Sequence, residues 1–293
     1  MIVSVASGKG GTGKTTVAVN LALLLGQEES NRVQFADCDV EEPNAHLFLR
    51  PEIENREEVY IPVPEVNLNR CTYCGRCSEV CAYNAIAVVK EKVLVFKELC
   101  HGCGGCMLLC PDKAISERNR EIGVIEEGRA NSIGFLQGRL NIGEPMATPI
   151  IRTMKKKLKS SHLNIVDVPP GTSCPVIEAV KESDFTILVT EPTPFGLNDL
   201  ILAVDVVRQL GIAHGVVINQ ADIGDDEVKK YCRRESIPVI GEIPYDRDIA
   251  VLYSHGIPMW IEGEKYRKVF RNIWTSIQPR LVRGGNVERV RQT

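Results

Sequence analysis

No stretch of this 293-residue chain reaches the roughly 18 consecutive apolar residues that a membrane-spanning helix needs. Neither sign of charge dominates. Thirty-five Lys and Arg against 38 Asp and Glu leave a net charge of −3, which argues neither for nor against a nucleic-acid partner. Met1 leads straight into an apolar run, leaving no room for a signal peptide, so a cytoplasmic chain is expected. Scattered cysteines of the kind that staple secreted proteins are also missing: of eleven, eight crowd between Cys71 and Cys110. Disulfides do not bunch in this way, whereas a metal site does. The length suits one large α/β domain, or one domain with a small insert.

What is present begins at once. Met1–Ser7 is a β-branched, apolar run that reads as a buried strand, and Val17–Gly26 has helical composition. Between them lies Gly8-Lys9-Gly10-Gly11-Thr12-Gly13-Lys14-Thr15-Thr16, which matches G-x-x-x-x-G-K-[ST] from Gly8 to Thr15. The glycines let backbone N–H groups ring a phosphate, and the helix start adds the positive end of its dipole. Lys14 can then reach the β- and γ-phosphates of ATP or ADP, and the Thr15 hydroxyl can ligate Mg²⁺. A glycine turn that binds no nucleotide is the alternative, and the flanking strand and helix count against it.

The second lysine, Lys9, makes the run G-K-G-G-T-G-K-T-T resemble the "deviant" P-loop ATPases of the MinD/ParA/Mrp and nitrogenase-iron-protein superfamily. The resemblance implies a mostly parallel, doubly wound α/β sheet with helices on both faces. It also implies a homodimer through the nucleotide face, in which Lys9 reaches the phosphates bound by the partner; from the residues alone, Lys9 could equally serve its own. Arg32–Asp39 reads as a second strand whose Asp37 and Asp39 share a face. The resemblance makes this switch I, with Asp39 placing or activating the attacking water and Asp37 supporting the metal; an Asp-rich turn without a catalytic part is the alternative. Leu163–Val168 is a strand ending in Asp167-Val168-Pro169-Pro170-Gly171-Thr172. A carboxylate at a strand end followed by a glycine turn fits Walker B and switch II, with Asp167 on Mg²⁺ and the Gly171 N–H sensing the γ-phosphate. Asn219, at the end of strand Ala213–Gln220, matches the position at which the family reads adenine, a task suited to an amide. Ile243-Pro244-Tyr245-Asp246 resembles the loop beside the base.

The ATPase pattern breaks off at Glu52–Val66, whose charge and prolines suggest a linker. Two runs follow: Cys71-x-x-Cys74-x-x-Cys77-x-x-x-Cys81, and Cys100-x-x-Cys103-x-x-Cys106-x-x-x-Cys110-Pro111. They match the bacterial ferredoxin repeat. That resemblance implies two [4Fe-4S] clusters: one on Cys71, Cys74, Cys77 and Cys110, the other on Cys100, Cys103, Cys106 and Cys81. Zinc is the competing reading, although four cysteines in one short run, twice over, exceed what it needs. Ala85-Ile86 and Ala114-Ile115 stand at equal intervals after the last cysteine of each run and suggest packing positions, with a hairpin over Val88–Phe96. Cys81-Ala82 departs from the usual Cys-Pro. His101 reads as a solvent-facing histidine or a tuning donor. Lysines and arginines nearly balance the acids, so the insert lacks an acidic docking surface.

The expected organisation is a discontinuous ATPase domain over residues 1–62 and 119–283, a small α+β ferredoxin-like insert over 63–118, and a tail over 284–293. Strands are expected at Glu121–Glu126, Ser132–Gln137, Phe185–Glu191 and Pro238–Ile243, with helices at Ile150–Ser160, Leu197–Leu210, Glu227–Arg234 and Lys265–Arg283. The run Lys155-Lys156-Lys157-x-Lys159 reads as a solvated helix face rather than a docking patch. Cys38 and Cys232 read as packing residues; Cys174 reads as a small buried residue, or as an intersubunit cluster ligand of the nitrogenase-iron-protein kind. The last helix carries a net +6 from Gly263 to Thr293 and reads as a cover for the sheet, with membrane contact as the alternative. Mrp-like carriers have a C-terminal C-x-x-C, and none follows Cys110 here. A cobyrinic acid a,c-diamide synthase-like label would not be literal, since no glutaminase-like half is recognisable. The implied activity is Mg²⁺-dependent ATP hydrolysis coupled to the two clusters. Its output would be electron transfer to a redox partner, cluster delivery to an accepting protein, or MinD-like positioning, with no nucleic-acid partner.

Overall fold

The computed structural model describes residues 1–28 and 32–284, so the tail expected at 284–293 lies, past Gly284, outside the described residues. In chain order, β1 is Ile2–Ala6, α1 Lys14–Glu28, β2 Val33–Asp37, α2 Ala45–Leu49 and β3 Glu52–Val66. The cysteine segment contributes α3 (Arg76–Val80), β4 (Ile86–Val89), β5 (Lys92–Val95) and α4 (Gly105–Leu108). Then come β6 (Ile115–Ala130), β7 (Ile133–Leu140), α5 (Thr148–Lys156), β8 (Leu163–Asp167), α6 (Cys174–Val180), β9 (Phe185–Thr190) and α7 (Pro194–Gln209). The chain closes with β10 (His214–Asn219), α8 (Glu227–Arg234), β11 (Val239–Ile243), α9 (Arg247–Ser254) and α10 (Glu264–Gly284).

One nine-stranded sheet runs β11-β10-β9-β1-β8-β2-β7-β6-β3. From β11 to β7 all neighbours are parallel, while β6 and β3 add antiparallel pairs at one edge. The parallel strands are short and apolar because helices cover both faces. One face packs against Ile150, Met154, Val176, Leu200, Val204 and Val228 of α5 to α8. The other packs against α1 and α10. The apolar stripe of α10 (Phe270, Ile273, Trp274 and Ile277) lies wholly in this second core, so the last helix covers the sheet as expected.

Three sequence expectations need correction. Glu52–Val66 is no linker but a long strand, paired with β6 from Glu52↔Arg129 to Val66↔Ile115. The ladder runs uninterrupted through 62/63 and 118/119, so the cysteine segment hangs from a two-stranded arm. β3 is the sheet's edge, where Pro62 and Pro64 are tolerated because an edge strand needs ladder hydrogen bonds on one side only. Cys174 is exposed at the first turn of α6 rather than buried. The lysines of α5 are not a uniform solvated face. Lys155 Nζ donates to the carbonyls of Ala179 (3.2 Å) and Lys181 at the end of α6, and Lys157 bridges Glu57 and Glu127 at 2.7 Å each. Cys38 and Cys232 are buried as expected.

The arm's direction follows from the ladders. β2 and β8 run parallel to β1, so their carboxyl ends share the sheet edge at which the P-loop begins. β7 is parallel to β2 and ends on that edge at Leu140, opposite Gly123 of β6. Residues 115–122 and their β3 partners therefore project beyond the edge where an α/β sheet binds its ligands.

Candidate nucleotide pocket and cysteine cavities

At the carboxyl ends of β1, β8 and β2, a cavity of about 410 Å³ is lined by Gly10, Gly11, Gly13 to Thr16, Asp39, Asn219, Tyr245 and Tyr253 among others. Its floor is the loop between β1 and α1. Gly13 has φ +89°, and a Cβ there would lie 2.6 Å from the Asn219 amide, so both conformation and space require glycine. Gly8 serves a different end: a Cβ would sit 2.2 Å from the Asp199 carbonyl of α7, which packs directly on the loop.

Lys14 is buried and reaches two carboxylates. Its Nζ donates to Asp167 Oδ1 at 3.0 Å and stands 3.6 Å from Asp39 Oδ2. Burial alone would lower its pKa, but Asp167 and Asp39 outweigh it and hold the ammonium above its ordinary value. The second Asp167 oxygen, Oδ2, is buried with no hydrogen-bond partner among the described residues. Such an orphan acceptor fits a hard divalent cation, which takes oxygen ligands.

The two switch I aspartates have separate tasks. Asp37 accepts from the backbone N–H groups of Asp39 (3.1 Å), Asn44 (3.1 Å) and Ala45 (3.0 Å), so both its oxygens tie the turn into α2. Burial and then the Asp167 charge push its carboxyl up to about 8. Asp39 lies past the strand's end and lines the cavity; burial raises it to about 6, against the pull of Lys14.

Three further residues are held by their own chain. Lys9 Nζ pairs with Glu191 Oε2 at 3.4 Å. The Gly171 N–H donates to the Ser7 carbonyl at 3.0 Å. Asn219 braces the P-loop, its amide donating to the Thr12 carbonyl (3.0 Å) and accepting from the Gln220 N–H (3.1 Å). Pro244, Tyr245 and Asp246 line the cavity, and α9 adds Ile249, Ala250 and Tyr253. Sequence reasoning missed α9. Asp246 was the available signal, since its side chain caps the helix by accepting from the Asp248 N–H at 3.0 Å.

The cysteine segment is built as a repeat with a 29-residue offset. Tyr73 and Gly102, Gly75 and Gly104, and Asn84 and Lys113 are matched pairs, each with positive φ. Ala85 N–H donates to Cys81 Sγ and Ala114 N–H to Cys110 Sγ, both at 3.2 Å. Gly102 N–H donates to Cys100 Sγ at 3.4 Å. The runs cross over: Cys100, Cys103, Cys106 and Cys81 line one cavity, and Cys71, Cys74, Cys77 and Cys110 line another. The first is walled by Pro62, Pro64 and Glu117 of the arm, so it is proximal to the sheet; the second lies at the arm's tip, against Val66 and Ile115. Among the described residues no three Cys, His, Asp or Glu side chains converge closely enough to hold a single metal ion. Ala85, Ile86, Ala114 and Ile115 are buried as expected. His101 is exposed and stacks on Tyr83, ring centroids 3.6 Å apart.

A family model described as the CobQ/CobB/MinD/ParA nucleotide binding domain matches residues 3–259. An uncharacterised protein of Methanocaldococcus jannaschii is 34% identical over 259 residues, covering 87% of this chain and 90% of that protein. An iron-sulfur cluster carrier protein of Pyrococcus abyssi is 25% identical, covering 89% and 80%. Among solved structures, the Pyrococcus furiosus cell division ATPase MinD superposes with a TM-score of 0.59 at 21% identity, covering 95% of this chain and 98% of that one. The MinD of Pyrococcus horikoshii, solved with Mg-ADP, gives 0.58 at 19%, covering 93% of each.

Proposed function

Because the chain belongs to the CobQ/CobB/MinD/ParA family of nucleotide-binding proteins, we propose that it couples its P-loop ATPase activity to two [4Fe-4S] clusters, with ATP-gated electron transfer to a partner protein as the output. One observation carries the cluster half: eight cysteines line two separate cavities in foursomes, each taking its fourth thiol from the other run. Backbone N–H groups already aimed at sulfur suit thiolates that carry charge. When bound, such clusters supply one-electron storage and transfer.

At the nucleotide site the chain's own groups set the chemistry. Lys14 and the P-loop N–H groups would hold the β- and γ-phosphates, and Thr15 and the free oxygen of Asp167 would hold Mg²⁺. Asp39, poised near pH 6, orients the attacking water and can accept its proton. Asp37 keeps the turn that carries Asp39 in place. Asn219 braces the P-loop through the Thr12 carbonyl and lines the same cavity.

Two internal contacts support a switch. The Gly171 N–H must leave Ser7 before it can meet a γ-phosphate, and Lys9 must leave Glu191 before it can reach any phosphate, its own or that of a second copy in a homodimer. Nucleotide binding would thus be read at both loops. The arm leaves the same end of the sheet, three strands along from β8.

A second reading, cluster delivery, draws on the iron-sulfur cluster carrier relative and on the exposed Cys74 and Cys103. MinD-like positioning at a membrane has less support, since the apolar face of α10 is taken by the core. Anaerobic purification followed by iron, sulfide and zinc analysis tests the proposal. Iron and sulfide sufficient for two cubane clusters are expected; two zinc ions and no iron would end it. Transfer of intact clusters to an apo-protein on ATP addition would favour delivery.

A further inference from the structure

The repeat in the cysteine segment brings the same two positions together twice, once at each cavity. Shifted by the repeat, Thr72 corresponds to His101 and Tyr83 to Asp112. At the proximal cavity Tyr83 and His101 stack, with ring centroids 3.6 Å apart and planes 8° from parallel. At the distal cavity the equivalent positions meet through a hydrogen bond, Thr72 Oγ1 donating to Asp112 Oδ2 at 2.6 Å. Each pair lines its own cavity and not the other.

Both pairs also span the crossover. Tyr83 stands just past Cys81 and His101 just past Cys100, the two thiols that the proximal foursome draws from different runs. Thr72 and Asp112 stand in the same way past Cys71 and Cys110 of the distal foursome. The backbone makes the pairs meet, because the residues beside them take positive φ at matching positions: Tyr73 with Gly102, and Asn84 with Lys113. It does not dictate their chemistry. All four side chains are exposed, so neither contact is core packing. Stacked rings present apolar faces and keep water from the wall they form, whereas a hydroxyl and a carboxylate stay hydrated and place negative charge there. Besides the pairs, the proximal cavity is lined by Glu117 and the distal one by Arg76.

We propose that the two pairs make the cluster sites unequal: Tyr83 with His101 closes the proximal site to water, and Asp112, held by Thr72, sets the charge at the distal one. The inference rests on the cluster reading above. Reduction adds negative charge to a site already anionic through its four thiolates. A carboxylate in the wall disfavours that charge directly, and an apolar wall disfavours it by withholding water. The two sites therefore answer to different substitutions, as a repeat with the same pair at both would not. These four are positioning residues, since each acts on the wall around the thiols and none is a ligand.

The test is an EPR-monitored redox titration of the full-length, iron-loaded protein and of Asp112→Asn, Tyr83→Ala and Tyr83→Phe. In D112N, which keeps the side chain's shape, one cluster is expected to gain about tenfold in its reduced-to-oxidised ratio at fixed potential, about 59 mV for a one-electron couple. Y83A should raise the other cluster by about threefold in the same ratio, and Y83F, which keeps the ring, should stay at wild type. Flat potentials in D112N or in a loaded Y83A, equal shifts of both clusters, or movement of the same cluster by both variants overturn the proposal. If Y83A fails to load iron, D112N decides alone: one raised cluster supports the proposal, and flat potentials or equal shifts overturn it. A wild-type protein without iron would instead remove the cluster reading, a result distinct from loaded protein with unmoved potentials.

Discussion

The nucleotide end of the sheet and the cysteine segment solve the problem of holding a ligand in opposite ways. Around the P-loop the side chains are buried or half-buried and already paired: Lys14 with Asp167, Asp37 with three N–H groups, Asn219 with Thr12. Two hydrophobic cores stand behind them. Between Asn67 and Ala114, by contrast, only Ala85, Ile86, Cys100 and Ala114 are buried among the described residues. A segment of that length with almost no core needs a staple, and thiolates bound to metal are one. The pocket is built before its ligand arrives, whereas on the proposed reading the cysteine segment would need its clusters to hold it together.

That contrast can be broken most sharply at Lys14. Lys14→Ala should lower phosphate release by roughly 10³-fold or more while iron content stays that of wild type. Surviving turnover would mean the phosphate site is misassigned, and lost iron would mean the two regions are not independent. Next in size, anaerobic removal of iron should raise the rate of proteolytic cleavage within residues 67–114 by about 100-fold, with the sheet left intact. Equal protection with and without iron would show a segment that stands by itself.

A smaller effect concerns the pre-built pocket. Asp39 sits at about 6 in the folded chain against an ordinary 3.8, so the folded state binds its proton more tightly than the unfolded one. Its contribution to stability is present below about pH 4 and is lost as pH rises through 6. Asp39→Asn cannot titrate. Without nucleotide its stability advantage over wild type should therefore grow between pH 4 and 6, by on the order of 3 kcal/mol, and then level off. Denaturant melts across that range check it; a difference that does not vary with pH contradicts it. Smallest in scale, Cys110→Ser should cost about half the iron, taken from the foursome of Cys71, Cys74 and Cys77, with hydrolysis within about twofold of wild type. Depletion at Cys100, Cys103 and Cys106 instead would mean that the runs do not cross over.

The same division governs what could be read from residues in order. Lys14, Asp167 and the cysteine runs were legible because phosphate and metal chemistry restrict both residue type and spacing. β3 was not. Its inward residues Val59, Ile61 and Val63 do alternate, but Glu52, Glu54, Glu57, Glu58 and two prolines surround them, and an edge strand tolerates both. Asp37 and Asp39 were expected to share a face because a strand puts i and i+2 on one side, but the strand stops at Asp37 and the chain turns. Lys155 looked solvated because only the structure brings the carbonyl end of α6 to it. For β3 and Lys155 the deciding contact lies far away along the chain.

The central claim is that the nucleotide pocket and the cysteine cavities act on one another. Its most direct test is the reduction potentials of the anaerobically purified wild-type protein, measured with and without Mg-ATP. A nucleotide-dependent shift in at least one cluster is the predicted result. Potentials that do not move, together with cluster retention that does not change, would contradict it.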